Sequence, residues 1–233
     1  RGAREEDVTV NFSFWSGYKA SYFSSLWMTL KLSLVSILFA TLLGVLLYFL
    51  KTSRLGYKKF RPLALLASAF IEVMRCVRML LLMIIVYSGS KIALGFNFTS
   101  FQAAVIAIVM NASVYICEVV RAGIEAVDRG QMEAARSLGM SRRKAMWLVV
   151  MPQAVKNILP AIGHEFVGVI KNSSMASVIG VAELLFTSKN ISGATFLPLE
   201  PLLVAAAFYF VLTFTLGRLM LWVERRYKVS DNR

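Results

Sequence analysis

The sequence predicts an all-α integral membrane protein built on five transmembrane helices. Three observations carry that expectation. Of the residues, 58% are hydrophobic and the mean hydropathy is +0.65, whereas soluble domains are nearer half apolar. Apolar runs of about 18 residues or more recur, each long enough to be a candidate membrane span. The net charge of +13 falls in the connections between those runs, the pattern of positive-inside topology. A nucleic-acid binder would gather such charge on one face of a soluble domain. Too little chain remains for a soluble core, so 1–233 is read as one transmembrane domain with lipid as its surroundings and no nucleic-acid partner.

The elements follow in order. Residues 1–23 are read as an external, interfacial segment, because "VTVNFSFWSGYKASYF" mixes small polar residues with Trp and Tyr, which favour the headgroup level. The first span covers Leu26–Leu50. A loop bearing Lys51, Arg54, Lys58, Lys59 and Arg61, with no acid, leads to a second span over Leu63–Tyr87. The connection "SGSKIALGFNFTS" carries only Lys91, and the third span covers Phe101–Val119. Charge is dense from Arg121 to Lys144. A fourth apolar stretch, Val155–Ile170, is interrupted by "KNSS" at Lys171–Ser174, and the following "MASVIGVAELLF" is too short to cross a bilayer. Irregular backbone at that depth needs cover from protein or a water-filled cavity, so a break beside a cavity is expected there. The fifth span is Leu202–Val223, followed by the charged tail "ERRYKVSDNR".

Five spans put the termini on opposite sides. Because the basic connections are 51–61, 121–144 and the tail, the N-terminus is expected outside and the C-terminus in the cytoplasm. The first residue is Arg1, with no signal-peptide pattern, and the natural start is expected upstream. Cys76 and Cys117 lie in apolar segments without a CxxC pair or a His/Cys cluster, which suggests neither a disulfide nor a zinc site.

Ionisable groups inside spans are costly and generally face a bundle interior or a cavity. Glu72, Arg75 and Arg78 share one side of the second span through successive i+3 spacings. Glu72 and Arg75 are expected to pair. Arg78 then needs Glu118, Glu165 or the carboxylate of a passing solute. Asn111, Ser113 and Tyr115 in the third span either bond between helices or line a path. His164 and Glu165 follow Pro160 and Gly163 in the fourth span. A carboxylate and a guanidinium together suit a solute that carries both charges. Lys171 and Asn172 either shape the break or snorkel and cap.

Between the third and fourth spans runs "GQMEAARSLGMSRRKAMWLVVMP", Gly130–Pro152, a water-soluble helix–turn–helix amid apolar segments. Gly130 and Gly139 are read as bracketing a helix whose Ala134 and Ala135 leave little bulk, so a partner can approach closely. Gly139 can take the positive φ that ends the helix, and Ser141 is placed to cap the next one. Arg142 and Arg143 in that first turn oppose the helix dipole and serve topology or a partner instead. The stretch is either an amphipathic helix on the bilayer or a docking helix for a cytoplasmic protein.

Here the residues carry a resemblance. Glu133-Ala134-Ala135, three residues, Gly139, nine residues, then Val149-Val150-Met151-Pro152 resembles the EAA motif of ATP-binding-cassette (ABC) importer permeases. The stretches "YICEVVRAGIEAVDRGQMEAARSLGMS" and "MPQAVKNILPAIGHEFVGVIKNSSMASVIGVAEL" are similar to the polar amino-acid branch, the histidine- and glutamine-type permeases. The similarity extends from about Trp27 to the end. It implies the five-helix type I importer permease fold in a bacterial inner membrane. It implies that 130–152 is a coupling-helix region, with Gln131, Glu133, Ala134, Ala135, Leu138, Gly139 and Arg142 against an ATPase. The implied partners are a second permease subunit, identical or paired, two ATP-binding subunits and an extracytoplasmic substrate-binding protein. The chain has no G-x-x-x-x-G-K-[ST], so ATP and magnesium are expected on the partner and no cofactor on this chain.

Two places depart from the family. Its Arg-Gly-Thr-Pro-Leu is here Arg75-Cys76-Val77-Arg78-Met79, and without the glycine and proline a helix distortion should be lost. "GHEF" stands for Gly-Asn-Glu-Phe, putting His164 beside Glu165, which the family places near the translocation cavity. Lys171 and Asn172 match the family's Lys-Asp/Asn-Thr-Ser. The leading expectation is a permease subunit for polar amino acids. The alternatives are a non-transporting sensor that recruits an ATPase, and a membrane enzyme, which no metal cluster, nucleophile–base pair or cofactor motif supports.

Overall fold

The computed structural model describes residues 12–52 and 62–231, and every regular element among them is helical. The chain runs α1 (Trp15–Thr52), α2 (Pro62–Cys76), α3 (Met79–Ile84), a π turn, α4 (Ser90–Leu94), α5 (Ser100–Glu125), α6 (Arg129–Ser137), α7 (Arg142–Ala145), a second π turn, α8 (Met151–Ser173), a 3₁₀ segment, α9 (Leu184–Thr195) and α10 (Glu200–Asp231). Four stretches are long and apolar enough to cross a membrane: Trp15–Thr52, Ser100–Glu125, Arg142–Ile179 and Glu200–Arg226. A shorter apolar helix, Met79–Ala93, stands where the second span was expected.

That second span is therefore broken. Arg78 is extended (φ −69°, ψ 138°) between α2 and α3, although neither glycine nor proline stands there. The expectation of an undistorted helix was wrong. Val77 packs on the main core and Met79 is buried in it, and backbone propensity is a weak term against tertiary packing.

Helix α1 also begins earlier than expected. Residues from Trp15 onward, read as interfacial, are its first turns, and Trp15, Tyr18 and Tyr22 pack with Leu184 and Ile191 of α9 and Phe208 of α10. Tyr22 donates to the Pro201 carbonyl at 2.9 Å and stacks on Phe208. Residues 1–11, and Arg54, Lys58, Lys59 and Arg61 of the basic loop, lie outside the described residues.

The main core is centred on α5, which buries Ala103, Ala104, Ala107 and Ala112. Lipid supplies no hydrophobic drive for helices to associate, so close approach through small residues does the work. At Gly44 of α1 an added Cβ would lie 2.8 Å from the Ile116 side chain and the Ser113 carbonyl. At Gly123 it would lie 2.4 Å from Ile158 of α8.

The irregular turns have local causes. Pro152 cannot donate a backbone bond, and a π turn, Met146–Val150, immediately precedes α8. The break expected at Lys171–Ser174 falls later: both Lys171 and Asn172 are helical, and the chain tightens to a 3₁₀ turn at Ser174–Ile179 before reversing at Gly180 (φ +86°). After it, Glu183 is fully buried as the cap of α9, its carboxylate accepting from Leu185 N, Phe186 N and the Tyr209 hydroxyl at 2.9, 2.7 and 2.5 Å. Thr29 Oγ1 of α1 accepts from Leu184 N at 3.3 Å. A buried carboxylate needs such partners, and here they lock α1, α9 and α10 together.

Candidate functional site: a charged cavity and an exposed helical cap

Three elements converge on one cavity of about 660 Å³. The α2–α3 break supplies Arg75, Cys76, Arg78 and the first turn of α3. Helix α5 supplies Asn111, Ala112 and Tyr115; α8 supplies Glu165, Gly168 and Asn172. On α5 the spacing is i, i+1, i+4 and on α8 i, i+3, i+7, so each helix turns one face to the space. Two guanidinium groups and one carboxylate give the lining a mixed charge with a formal excess of one positive.

The two arginines differ. Arg75 Nη2 donates to Glu118 Oε1 at 3.4 Å, so its partner is Glu118 of α5 rather than the expected Glu72. Arg78 makes no side-chain hydrogen bond or ion pair among the described residues, and its extended backbone places it at the cavity wall. Glu165 likewise has no hydrogen-bond partner among the described residues. Opposite charges left unneutralised on two walls can receive a solute that carries both signs.

The remaining candidates lie elsewhere. Glu72 is exposed on α2 and outside the cavity lining. Ser113 is fully buried, donating to the Met110 carbonyl at 2.9 Å where α5 crosses Gly44. Glu118 sits among three cations, 3.7 Å from Lys51, 3.4 Å from Arg75 and 2.9 Å from Arg121. His164 points toward α10, its Nε2 3.7 Å from Glu224 Oε2. A helix turns about 100° per residue, and here His164 turns to α10 while Glu165 lines the cavity. Lys171 is exposed and outside the lining, whereas Asn172 is part of it. Cys76, Gly168 and Met175 were not singled out from sequence. Gly168 had a readable signal in its i+3 spacing from Glu165, and an added Cβ there would meet nothing within 4 Å.

The second surface is α6. It begins at Arg129, capped by Asp128, whose Oδ1 accepts from Gly130 N at 2.6 Å. Gly130 thus lies inside the first turn and does not bracket the helix; the side-chain acceptor two residues earlier sets the start. At the other end Gly139 has φ +84°, Met140 N donates to the Ala135 carbonyl and Gly139 N to the Arg136 carbonyl, a Schellman ending. Ser141 Oγ then accepts from Lys144 N at 3.3 Å, as expected of a cap. Glu133, Ala134, Gly139 and Arg142 are exposed, and Leu138 is 82% exposed. Ala135 is buried at 4% against its own chain, so it supports the helix and leaves Ala134 to the outer face. Gln131 accepts from Gln153 Nε2 at 3.2 Å, tying α6 to α8. Leu138 thus ends the nine-residue helix with its side chain turned away from the rest of the chain.

Comparison with known proteins gives the family. Residues 37–229 match the family described as the binding-protein-dependent transport system inner membrane component. The arginine transport system permease protein ArtQ of Bacillus subtilis is 38% identical over 203 residues, 87% of this chain and 90% of that one. The probable glutamine ABC transporter permease protein GlnM of the same organism is 32% identical over 224 residues, covering 96% and 99%. A crystal structure of an amino acid ABC transporter with histidines superposes with TM-score 0.88 and 42% identity over 94% of this chain and 99% of that one. The methionine transporter MetNI, inward-facing, shares the fold at TM-score 0.67 and 19% identity, covering 89% and 98%. The chain belongs to the family of binding-protein-dependent transport system inner membrane components.

Proposed function

We propose that this chain lines half of the path by which a polar amino acid crosses the bacterial cytoplasmic membrane, with its N-terminus outside and its C-terminus in the cytoplasm. The single observation that carries the reading is the cavity in which unpaired Arg78 and Glu165 share a wall-to-wall space with Asn111, Tyr115 and Asn172. Arg78 receives the α-carboxylate and Glu165 the α-ammonium group or a basic side chain. The amides and the phenol orient the remainder. Charge-assisted bonds of this kind are the strong ones, and a low-dielectric setting strengthens them further. The relatives' arginine and glutamine are cargoes of that chemistry.

The energy comes from a separate pair of ATP-hydrolysing subunits that hold ATP and magnesium. They grip α6 at Glu133, Ala134, Leu138 and Gly139, with Arg142 at the edge. Gln131 passes the movement to α8 through Gln153, and α8 carries Glu165 into the cavity. A second permease subunit completes the path, and an extracytoplasmic binding protein delivers the cargo. A non-transporting partner that merely recruits an ATPase has no need of a charged cavity on the same helix that meets α6.

The test is uptake by the reconstituted complex. Glu165→Gln should raise the KM for amino-acid uptake while leaving assembly with the ATPase intact. Unchanged uptake kinetics would make Glu165 structural and remove the main support for the reading.

A further inference from the structure

Lys31 stands in an unusual place. Trp27, Leu34, Leu38, Leu42 and Leu46 form one stripe on α1 at helical spacing, each between 52% and 69% exposed, and Lys31 lies in that stripe as its one charge. Residues 32–50 after it are free of charge, about 28 Å of helix, until Lys51. Lys31 and Lys51 therefore mark the two edges of a hydrocarbon core roughly 30 Å thick. Helix α5 starts at the same level, at Ser100, and runs parallel to α1, since Lys31 meets Phe101 and Gly44 meets Ile116.

An ordinary boundary lysine snorkels into water. This one is held back: its Nζ lies 5.4 Å from the Phe101 ring centroid, a cation–π distance. Among the described residues it has no carboxylate partner. Directly below runs a groove of about 320 Å³ between α1 and α5, lined by Val35, Phe98, Phe101, Gln102, Val105 and Ile106. A fixed cation above an apolar groove, at the headgroup level and on a lipid-facing stripe, complements a molecule with an anion above a hydrocarbon chain.

We propose that this groove is a binding site for one anionic phospholipid, its phosphate on Lys31 and one acyl chain between α1 and α5. In the orientation proposed above the lipid belongs to the extracytoplasmic leaflet, but the site does not depend on the cargo or on the ATPase.

Native mass spectrometry of the purified full-length chain with an equal mixture of phosphatidylglycerol and phosphatidylcholine tests it. The wild type should retain phosphatidylglycerol preferentially. Lys31→Gln should lower that retention about fivefold, the equivalent of about 1 kcal/mol for one lysine at a charged surface, and Lys31→Arg should keep it. Val105→Trp, which fills the groove, should reduce retention of both lipids. Retention unaffected by either Lys31→Gln or Val105→Trp overturns the proposal. So does a Val105→Trp chain that loses a dimeric mass while keeping its lipid, for then a second copy occupies the groove.

Discussion

The two functional surfaces of this chain are built in opposite ways. The α6 cap is made by consecutive residues: Asp128 starts the helix, Gly139 stops it and Ser141 starts the next. The cavity is made by residues far apart in the chain, from Arg75 to Asn172, brought together by the α2–α3 break, α5 and α8. Local backbone chemistry suffices to shape the first. Only tertiary packing assembles the second. On the proposed roles, damage to the cap should disconnect the motor without touching the cargo site, and damage to the cavity should do the reverse.

The largest effect is expected at the cap. Gly139→Asp places a side chain at φ +84°, a conformation that Asp tolerates better than most residues, and it adds a charge to the proposed docking face. Cargo-stimulated ATP hydrolysis by the reconstituted complex should fall to the unstimulated rate. Full stimulation would show that the cap is not the docking element. Leu138→Asp should have the same functional effect with no change in the thermal stability of the chain itself, because an 82% exposed side chain contributes little to its packing.

The cavity comes next. Arg78→Gln and Glu165→Gln each remove one charged hydrogen-bond partner, worth about 1.5–3 kcal/mol. The KM for uptake should rise about tenfold or more in both, with ATPase assembly retained. Equal kinetics in the Arg78 variant would move the carboxylate contact elsewhere, Arg75 being the nearest alternative.

The same contrast governs what the amino-acid sequence reveals of each surface. Asp128, Gly139 and Ser141 act within four residues of themselves, so the turn at Gly139 and the Ser141 cap were legible, and only the helix start was misplaced from Asp128 to Gly130. In the cavity, residue type was legible and geometry was not. Asn111, Tyr115, Glu165 and Asn172 were singled out as polar groups in apolar runs, but so were Ser113, whose hydroxyl is spent on the Met110 carbonyl, and His164, which faces Glu224. Polarity reports that a group needs a partner, not which neighbour supplies it. The α2–α3 break was misjudged because a rule about glycine and proline does not register that Val77 and Met79, on either side of exposed Arg78, pack into the main core.

Smaller effects should follow from the framework that separates the two surfaces. Gly44→Val puts atoms where Ile116 already sits at 2.8 Å and should cost about 1–3 kcal/mol by overpacking, seen as a lower midpoint in thermal unfolding with KM unchanged. Glu118→Gln loosens the partly exposed cluster of Lys51, Arg75 and Arg121; such pairs are worth about 0–1 kcal/mol. It should shift the unfolding midpoint less than Gly44→Val does, while releasing Arg75 toward the cavity and changing KM by a factor of a few. A large loss of stability would mean that the cluster is a structural clamp.

The central claim is that α6 is held by an ATP-hydrolysing subunit. A photoreactive amino acid at Leu138, 82% exposed, and a control at Trp222, 56% exposed on α10, decide it when illuminated in living cells. The account predicts a covalent adduct between the Leu138 chain and an ATP-binding protein, absent from the Trp222 chain. Adducts with lipid alone at both positions would contradict it.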